Sequence, residues 1–320
     1  MKVLFLTHTR LGDAVLSTGV VNHYMQNFPQ ARLTVVCSPL VESLFAAMPN
    51  VERVIAVRKR SYSRHWWDVW RAVAATRWDE VVDLRNSAVS RLIRAGKRHI
   101  WSPQPDTLHK VVQIANVIGV TPPPAPRLWF DEQTQNRVHA FIQGIGAPRI
   151  VIAPVANWPG KTWPTESYIE LIARLDADGM AEAARLNFII MAGPGEEAVA
   201  EKVLAACPPE RGFSAIARFS PLEAACVISQ CEAFIGNDSG LMHCAAATGV
   251  PTLGLFGPSN RDVYAPWGDN ARMVETPESF RDFLARPDYS PYLQTSLMGS
   301  LSVDTVHDAF SAMMKKGLAA

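Results

Sequence analysis

The sequence predicts an α/β protein built from two doubly wound domains that face each other across a cleft, and three observations carry that reading. Short apolar runs alternate with helical segments from Lys2 to Ile100, the pattern of a parallel sheet covered by helices on both faces. The same alternation restarts at Arg149–Ala153, after the stiff stretch Thr121–Pro126 and a Gly144–Pro148 linker. In each half an apolar strand runs straight into a glycine-containing polar turn and then a helix, at His8–Asp13 and again at Gly236–Gly240, which is how a βαβ unit opens. At 320 residues the chain has room for two cores of about 150 residues each. The expected domains are 1–147 and 148–302, with 303–320 as a closing helix.

In order, the first half reads as strand Lys2–Thr7, helix Ala14–Phe28, strand Arg32–Cys37, helix Pro39–Met48 and strand Val54–Val57. Strand Asp79–Leu84, helix Ser87–Ala95 and a short strand ending at Ile100 complete it. Glu132–Ile142 is an amphipathic helix after the proline stretch. The second half gives strand Arg149–Ala153, helix Thr165–Asp176, strand Leu186–Met191, helix Glu196–Ala206, helix Pro221–Ser229, a strand closing at Ile235, and helix Leu241–Thr248. A last helix, Ser302–Lys316, sets Val303, Val306, Phe310 and Met313 on one face. Sheets of this kind bind ligands beyond the carboxyl ends of their strands, so the cleft is the expected active site.

Composition removes several function classes. With 48% hydrophobic and 19% charged residues the chain can bury both cores, and no stretch reads as disordered. Five cysteines, odd in number and without a C-x-x-C pair, argue against a disulfide framework and a zinc site and fit a reducing cytoplasm. The apolar run Met1–Leu6 is too short for a signal peptide, and no segment reads as a membrane span. Charge is uneven: residues 1–130 carry 17 Lys and Arg against 8 Asp and Glu, while 131–320 carry 14 against 22. A basic first half suits an anionic acceptor or lipid surface, and no nucleic-acid motif accompanies it. Within that half, Arg58-Lys59-Arg60 and Arg64–Arg71 mix cations with indoles, as a bilayer-docking segment does. Trp67, Trp70 and Ala74 also recur at helical spacing, which fits core packing.

The chemistry-bearing phrase is Gly236-Asn237-Asp238-Ser239-Gly240-Leu241-Met242-His243. It places Asp238-Ser239-Gly240 at a helix N-terminus, where unpaired N–H groups and the helix dipole favour an anion and Gly240 admits a diphosphate close to the backbone. Helix capping by Asp238 is the simpler structural use. His243 lies one turn further on. In Asn157-Trp158-Pro159-Gly160-Lys161-Thr162-Trp163-Pro164 the Gly-Lys-Thr triplet is no P-loop, because Val155 stands where that motif needs glycine. Gly193-Pro194-Gly195-Glu196-Glu197-Ala198 fits G-x-G-x-x-A, yet Phe213–Phe219 offers no acid where a dinucleotide site needs one. Ser220-Pro221-Leu222-Glu223 is a capping box. Asp13 opens a helix at the end of the first strand, as a helix-start residue or as a carboxylate aimed into the cleft. There is no Asp-x-Asp, no His/Cys cluster and no G-x-S-x-G elbow.

Taken together, Arg10-Leu11-Gly12-Asp13 with Ser17-Thr18, Lys161-Thr162-Trp163-Pro164, the Gly193–Glu197 turn and Asp238-Ser239-Gly240-x-x-His243-x-Ala245-Ala246-Ala247 through Leu255-Phe256-Gly257 resemble the motifs of the family 9 glycosyltransferases, the lipopolysaccharide heptosyltransferases of bacteria. The resemblance implies a GT-B architecture of two Rossmann-like domains, with the C-terminal helix folding back on the first. It implies inverting, metal-independent transfer of a heptose from ADP-heptose to a lipopolysaccharide inner-core acceptor. Asp13 would be the general base and Lys161 the cation on the leaving diphosphate. Asn157, Lys161, Asp238, Ser239, Gly240 and His243 would line the donor site, with Glu196 or its neighbour Glu197 on the ribose and Phe219 by the base; Arg10 and Gly12 would face the acceptor. No cofactor beyond the donor is implied, and the partner would be an anionic glycolipid met at the cytoplasmic face of the inner membrane. Another nucleotide sugar, a nucleotide-sugar epimerase, or a non-catalytic nucleotide-binding protein would fit the same cradle. Two departures stand out: Ala156 and Asn157 replace common hydroxyl residues, and Pro287–Leu301 lacks cysteines often found there.

Overall fold

The computed structural model describes residues 1–61, 64–178, 185–290 and 292–317; the last three residues of the expected closing helix, and residues 62–63 of the Trp/Arg segment, lie outside the described residues. The chain divides into two compact units, Met1–Asp131 and Glu132–Ala320.

The first unit is a five-stranded parallel sheet of order β3-β2-β1-β4-β5, formed by β1 (Lys2–Leu6), β2 (Arg32–Cys37), β3 (Val51–Ala56), β4 (Trp78–Asp83) and β5 (Ala95–Ile100). Val3 to Leu6 of β1 are fully buried, because a central strand beneath two helical layers has no face to give to water. Helices α1 (Leu11–Asn27), α2 (Glu42–Ala46), α3 (His65–Val73), α4 (Val89–Leu92) and α5 (Lys110–Ile118) complete the unit. The helix expected over 87–95 is one turn, since Ala95 already pairs with Trp78 in the sheet. Helix α5 escaped the sequence reading although Val111, Ile114, Ala115 and Ile118 form its buried stripe. The proline stretch is strapped to α1: Thr18 Oγ1 accepts the Arg127 N–H at 3.0 Å, and a Cβ on Gly19 would sit 2.2 Å from the Pro124 carbonyl oxygen.

The second unit is a six-stranded parallel sheet, order β11-β10-β9-β6-β7-β8. Its strands are β6 (Arg149–Ala153), β7 (Asn187–Ala192), β8 (Gly212–Ile216), β9 (Ala233–Asn237), β10 (Thr252–Phe256) and β11 (Ala271–Glu275). Helices α6 (Glu132–Ile142), α7 (Thr165–Ala177), α8 (Glu197–Ala205), α9 (Pro221–Ile228), α10 (Gly240–Thr248), α11 (Arg261–Tyr264), α12 (Phe280–Ala285) and α13 (Val303–Gly317) surround it. One boundary differs from the sequence reading. Helix α6 packs on α9, so the unit begins at 132 rather than 148; its buried Val138 and Ile142 needed a partner that only α9 supplies. Helix α13 packs on α7, β10 and β11, and Val306, Phe310 and Met313 lie in the second unit's own core. Among the described residues no helix is long and apolar enough to cross a membrane.

Phe310 is fully buried, so Phe310→Ala should cost about 3–5 kcal/mol through lost burial and a residual cavity. Urea unfolding should show the second unit's transition at lower denaturant; an unchanged midpoint would detach α13 from that core.

Candidate functional site

Both sheets have a point where the strand order reverses: the chain builds outward from β1 to β2 and β3 and returns to β4, and it builds from β6 to β7 and β8 and returns to β9. At such a point the two loops leaving adjacent strands diverge and open a crevice at the carboxyl edge. Asp13, Asn157, Lys161 and Asp238–Gly240 fall on or beside these loops, whereas Glu196 and Phe219 follow β7 and β8.

In the second unit, β6 pairs with β9 through Ala153 and Gly236, so the loops after Ala153 and Asn237 stand side by side. The first makes a 3₁₀ turn at Pro159–Lys161; the second runs through Asp238 into the N-cap Ser239 of α10. Lys161 Nζ donates to Asp238 Oδ2 at 3.0 Å, with both side chains largely buried, and His243 Nε2 lies 3.8 Å from Asp238 Oδ1. Ser239 Oγ caps its own helix by accepting the Met242 N–H, which leaves its hydroxyl proton to donate. The pair therefore carries no net charge, and the helix tip keeps its partial positive end.

The Lys161 turn is braced from beneath. Asn237, fully buried, accepts the Trp163 N–H on Oδ1 at 2.9 Å, and the Trp163 indole donates to the Leu301 carbonyl. Trp158 folds across Gly160, where a Cβ would lie 2.4 Å from the ring, and donates to the Leu293 carbonyl. Ser296 and Leu297 then bond the carbonyls of Thr162 and Gly160. The segment that departs from the family pattern at 287–301 thus props the lysine. Buried Cys244 behind the cradle has its thiol pushed up to about 12 by desolvation, so it is packing rather than a nucleophile.

The remaining residues of this unit sit on the same sheet edge. Glu196 Oε2 accepts the Gly193 N–H at 2.8 Å, and the Glu197 carboxylate is held below its usual range by the Gly195 N–H; both acids close the β7 turn. Phe219 follows β8 and packs edge-on against Phe141 of α6, ring centroids 5.2 Å apart, with the Arg218 guanidinium over both rings. Asn157 is exposed on the β6 loop.

In the first unit Asp13 occupies the first turn of α1, half-buried beside Gly12, while Arg10 is the exposed N-cap residue and makes no side-chain cap. Across the reversal point Asp83, fully buried, accepts N–H groups of Arg85 and Ser87 at 2.8 Å each and fixes the β4 loop. Two groups coupled to Asp13, His8 and Lys110, were missed in the sequence, as was Arg85, which acts on His8. His8 ends the β1 loop with Nε2 buried and unpartnered and its ring edge-on to Trp101 at 5.9 Å. Lys110, 4.9 Å over the Trp101 ring, is lowered by desolvation and raised again by Asp13. Arg85 lies 4.5 Å over Trp66. Desolvation lowers the His8 imidazolium below 6.5; Asp13 and Asp83 oppose this, while Lys110 and Arg85 reinforce it. His8 followed an apolar strand and was legible as a loop residue; nothing in the sequence ties Lys110 to Asp13. Among the described residues no group of three His, Cys, Asp or Glu side chains is gathered as a metal site.

With this geometry in hand, comparison with known proteins gives a consistent answer. The sequence profile of glycosyltransferase family 9 (heptosyltransferase) matches residues 97–285. The chain is 25% identical to lipopolysaccharide heptosyltransferase 2 of Escherichia coli K12, over 86% of this chain and 88% of that protein. Its fold matches the solved E. coli ADP-heptose heptosyltransferase II with a TM-score of 0.79 at 20% identity, covering 99% of this chain and 100% of the other. It also matches the E. coli heptosyltransferase WaaC with ADP, TM-score 0.71 at 19% identity, over 98% and 100%. A more distant match, TM-score 0.58 at 16% identity over 99% and 76%, is the iron-containing dodecameric glycosyltransferase TibC from enterotoxigenic E. coli.

Two outcomes test the site's electrostatics. Lys161→Met leaves the Asp238 carboxylate buried without its cation and should cost about 3–5 kcal/mol, largely recovered in Lys161→Met/Asp238→Asn; thermal unfolding of the three proteins measures this. Because His8 holds a proton less tightly folded than unfolded, the unfolded state gains protons as pH falls below 6.5, and stability drops through that window. His8→Gln should flatten the loss between about pH 6.5 and 5, read as the slope of unfolding free energy against pH.

Proposed function

The chain belongs to glycosyltransferase family 9 (heptosyltransferase), and from that premise we propose that it is an inverting heptosyltransferase of lipopolysaccharide core assembly, acting from ADP-heptose without a metal ion. The observation that carries the reading is the Lys161–Asp238 pair at the tip of α10. One of the three N–H donors of Lys161 is spent on Asp238; the others, with the backbone N–H groups of the helix tip and the Ser239 hydroxyl, suit a diphosphate. Relatives named as lipopolysaccharide heptosyltransferases and a solved neighbour holding ADP support the donor and acceptor classes.

In this reading Asp13 takes the proton of an acceptor hydroxyl as its oxygen attacks the anomeric carbon. The bond from that carbon to the diphosphate oxygen breaks, configuration inverts, and the nucleoside diphosphate leaves with its new charge held by Lys161 and the α10 tip. His243 steadies Asp238, the second oxygen of Glu196 receives a ribose hydroxyl, Phe219 and Phe141 flank the base, and Asn157 stands near the phosphates. Arg10 and Gly12 meet an anionic glycolipid acceptor at the cytoplasmic face of the inner membrane. Phosphate charge is balanced by helix termini and a lysine, which is why a divalent cation is dispensable to the scheme.

Asp13→Asn should lower transfer by about 10²–10⁴-fold, the range of a lost general base, while ADP still stabilises the protein against heat. Transfer measured from ADP-heptose to a deacylated inner-core acceptor decides this, and full turnover by the variant would remove Asp13 as base. EDTA should leave the wild-type rate unchanged, and a rate restored only by added metal would overturn the cation-free scheme.

A further inference from the structure

The first unit carries a surface that the transfer chemistry leaves unused. Helix α3 buries His65, Val69 and Val73 but turns Trp67 outward, 59% exposed. Trp67 stacks on Trp70 with ring centroids 4.8 Å apart and planes 19° from parallel. Trp70 is the anchor: it packs against the core around β1 and β4, and its Nε1 donates to the carbonyl of Leu92 at 3.4 Å. Leu92, closing α4, is itself 69% exposed. Two adjacent helices thus present an indole pair and a leucine to solvent in one patch. The alternative use of Trp67, as core, is excluded by its exposure.

Cations surround the patch. Arg58, Lys59, Arg60 and Arg64 precede α3, Arg71 lies on it one turn beyond Trp67, and Arg91 and Arg94 flank Leu92; all are exposed. Asp68 is the only carboxylate on the helix and Arg60 engages it at 3.1 Å. Arg91 bonds Asn86 and the Ser87 carbonyl; in sequence, Arg64 and Arg71 stand three and four residues from Trp67, and Arg94 two residues from Leu92. A protruding indole ringed by arginines matches the chemistry of a bilayer interface, where the ring enters the headgroup layer and the cations meet lipid phosphates.

We propose that Trp67, Trp70 and Leu92 with Arg64, Arg71 and Arg94 form the face by which this protein docks reversibly on an anionic lipid bilayer. The proposal deepens the reading of a membrane-borne acceptor and rests on it for the choice of lipid over another anionic partner.

The test is co-sedimentation of the full chain with phosphatidylcholine vesicles, with and without phosphatidylglycerol. Binding should require the anionic lipid and fall steeply with added salt. Trp67→Ser and the pair Arg64→Glu/Arg71→Glu should each weaken it by about tenfold or more, while Trp67→Tyr retains most of it and ADP-induced thermal stabilisation stays intact in all. Wild-type binding that ignores lipid charge, or variants that bind as well as wild type, would overturn the proposal, as would self-association without vesicles that Trp67→Ser abolishes. Retained ADP stabilisation beside failed vesicle binding would sink this surface and leave the glycosyltransferase reading standing.

Discussion

The second unit is arranged around the constraint that a parallel sheet whose strand order reverses must part its loops at the reversal. Between β6 and β9 that parting sets a lysine from one loop against an aspartate from the other, at a helix tip. The Lys161–Asp238 contact joins residues 77 apart in sequence and is shielded enough that neither charge can be left alone cheaply. In the proposed function, a site built this way would be neutral in its side chains and positive in its backbone, so that a diphosphate could bind without a carboxylate repelling it.

What holds that pair in place lies behind it. Asn237 is polar at the end of a buried strand, and its side chain orders the neighbouring loop through Trp163 N–H. Trp158, Trp163 and the 293–301 segment then clamp the turn from the other side. A lysine on an unbraced loop would lose side-chain and backbone freedom on meeting its ligand; here that cost is met in folding. The first unit repeats the device with different residues: Asp83 spends its carboxylate on the backbone of its own loop, and Asp13 shares its surroundings with His8 and Lys110.

How much of this was legible can be judged residue by residue. Asp238, Ser239 and Gly240 were readable because capping chemistry is local: the residue types that end a strand and start a helix follow one another in the chain. Asp13 and Lys161 were readable for the same reason, and through the resemblance. Lys110 was not, because it opens a helix that no motif marks and meets Asp13 only through folding. Strands β8, β10 and β11 also escaped; Gly212–Ile216 and Ala271–Glu275 are short and partly exposed and owe their extended form to pairing with β7 and β10, while the fully buried Thr252–Phe256 follows the cradle helix without a polar alternation to mark it. The one-turn α4 was overextended for the converse reason: sheet pairing at Ala95 outweighed helix propensity.

By itself, then, the sequence determined the alternation of strands and helices, the two sheets, the helix-tip cradle and the imbalance of charge, because period, capping and composition are properties of neighbours along the chain. Only the tertiary structure decided that α6 and α13 serve the second core, that Lys161 is paired with Asp238, that His8 shares its surroundings with Asp13, and that Trp67 faces solvent rather than the core. Those outcomes depend on which apolar face finds a partner and which charge finds a counter-charge, and both are settled between segments far apart in sequence.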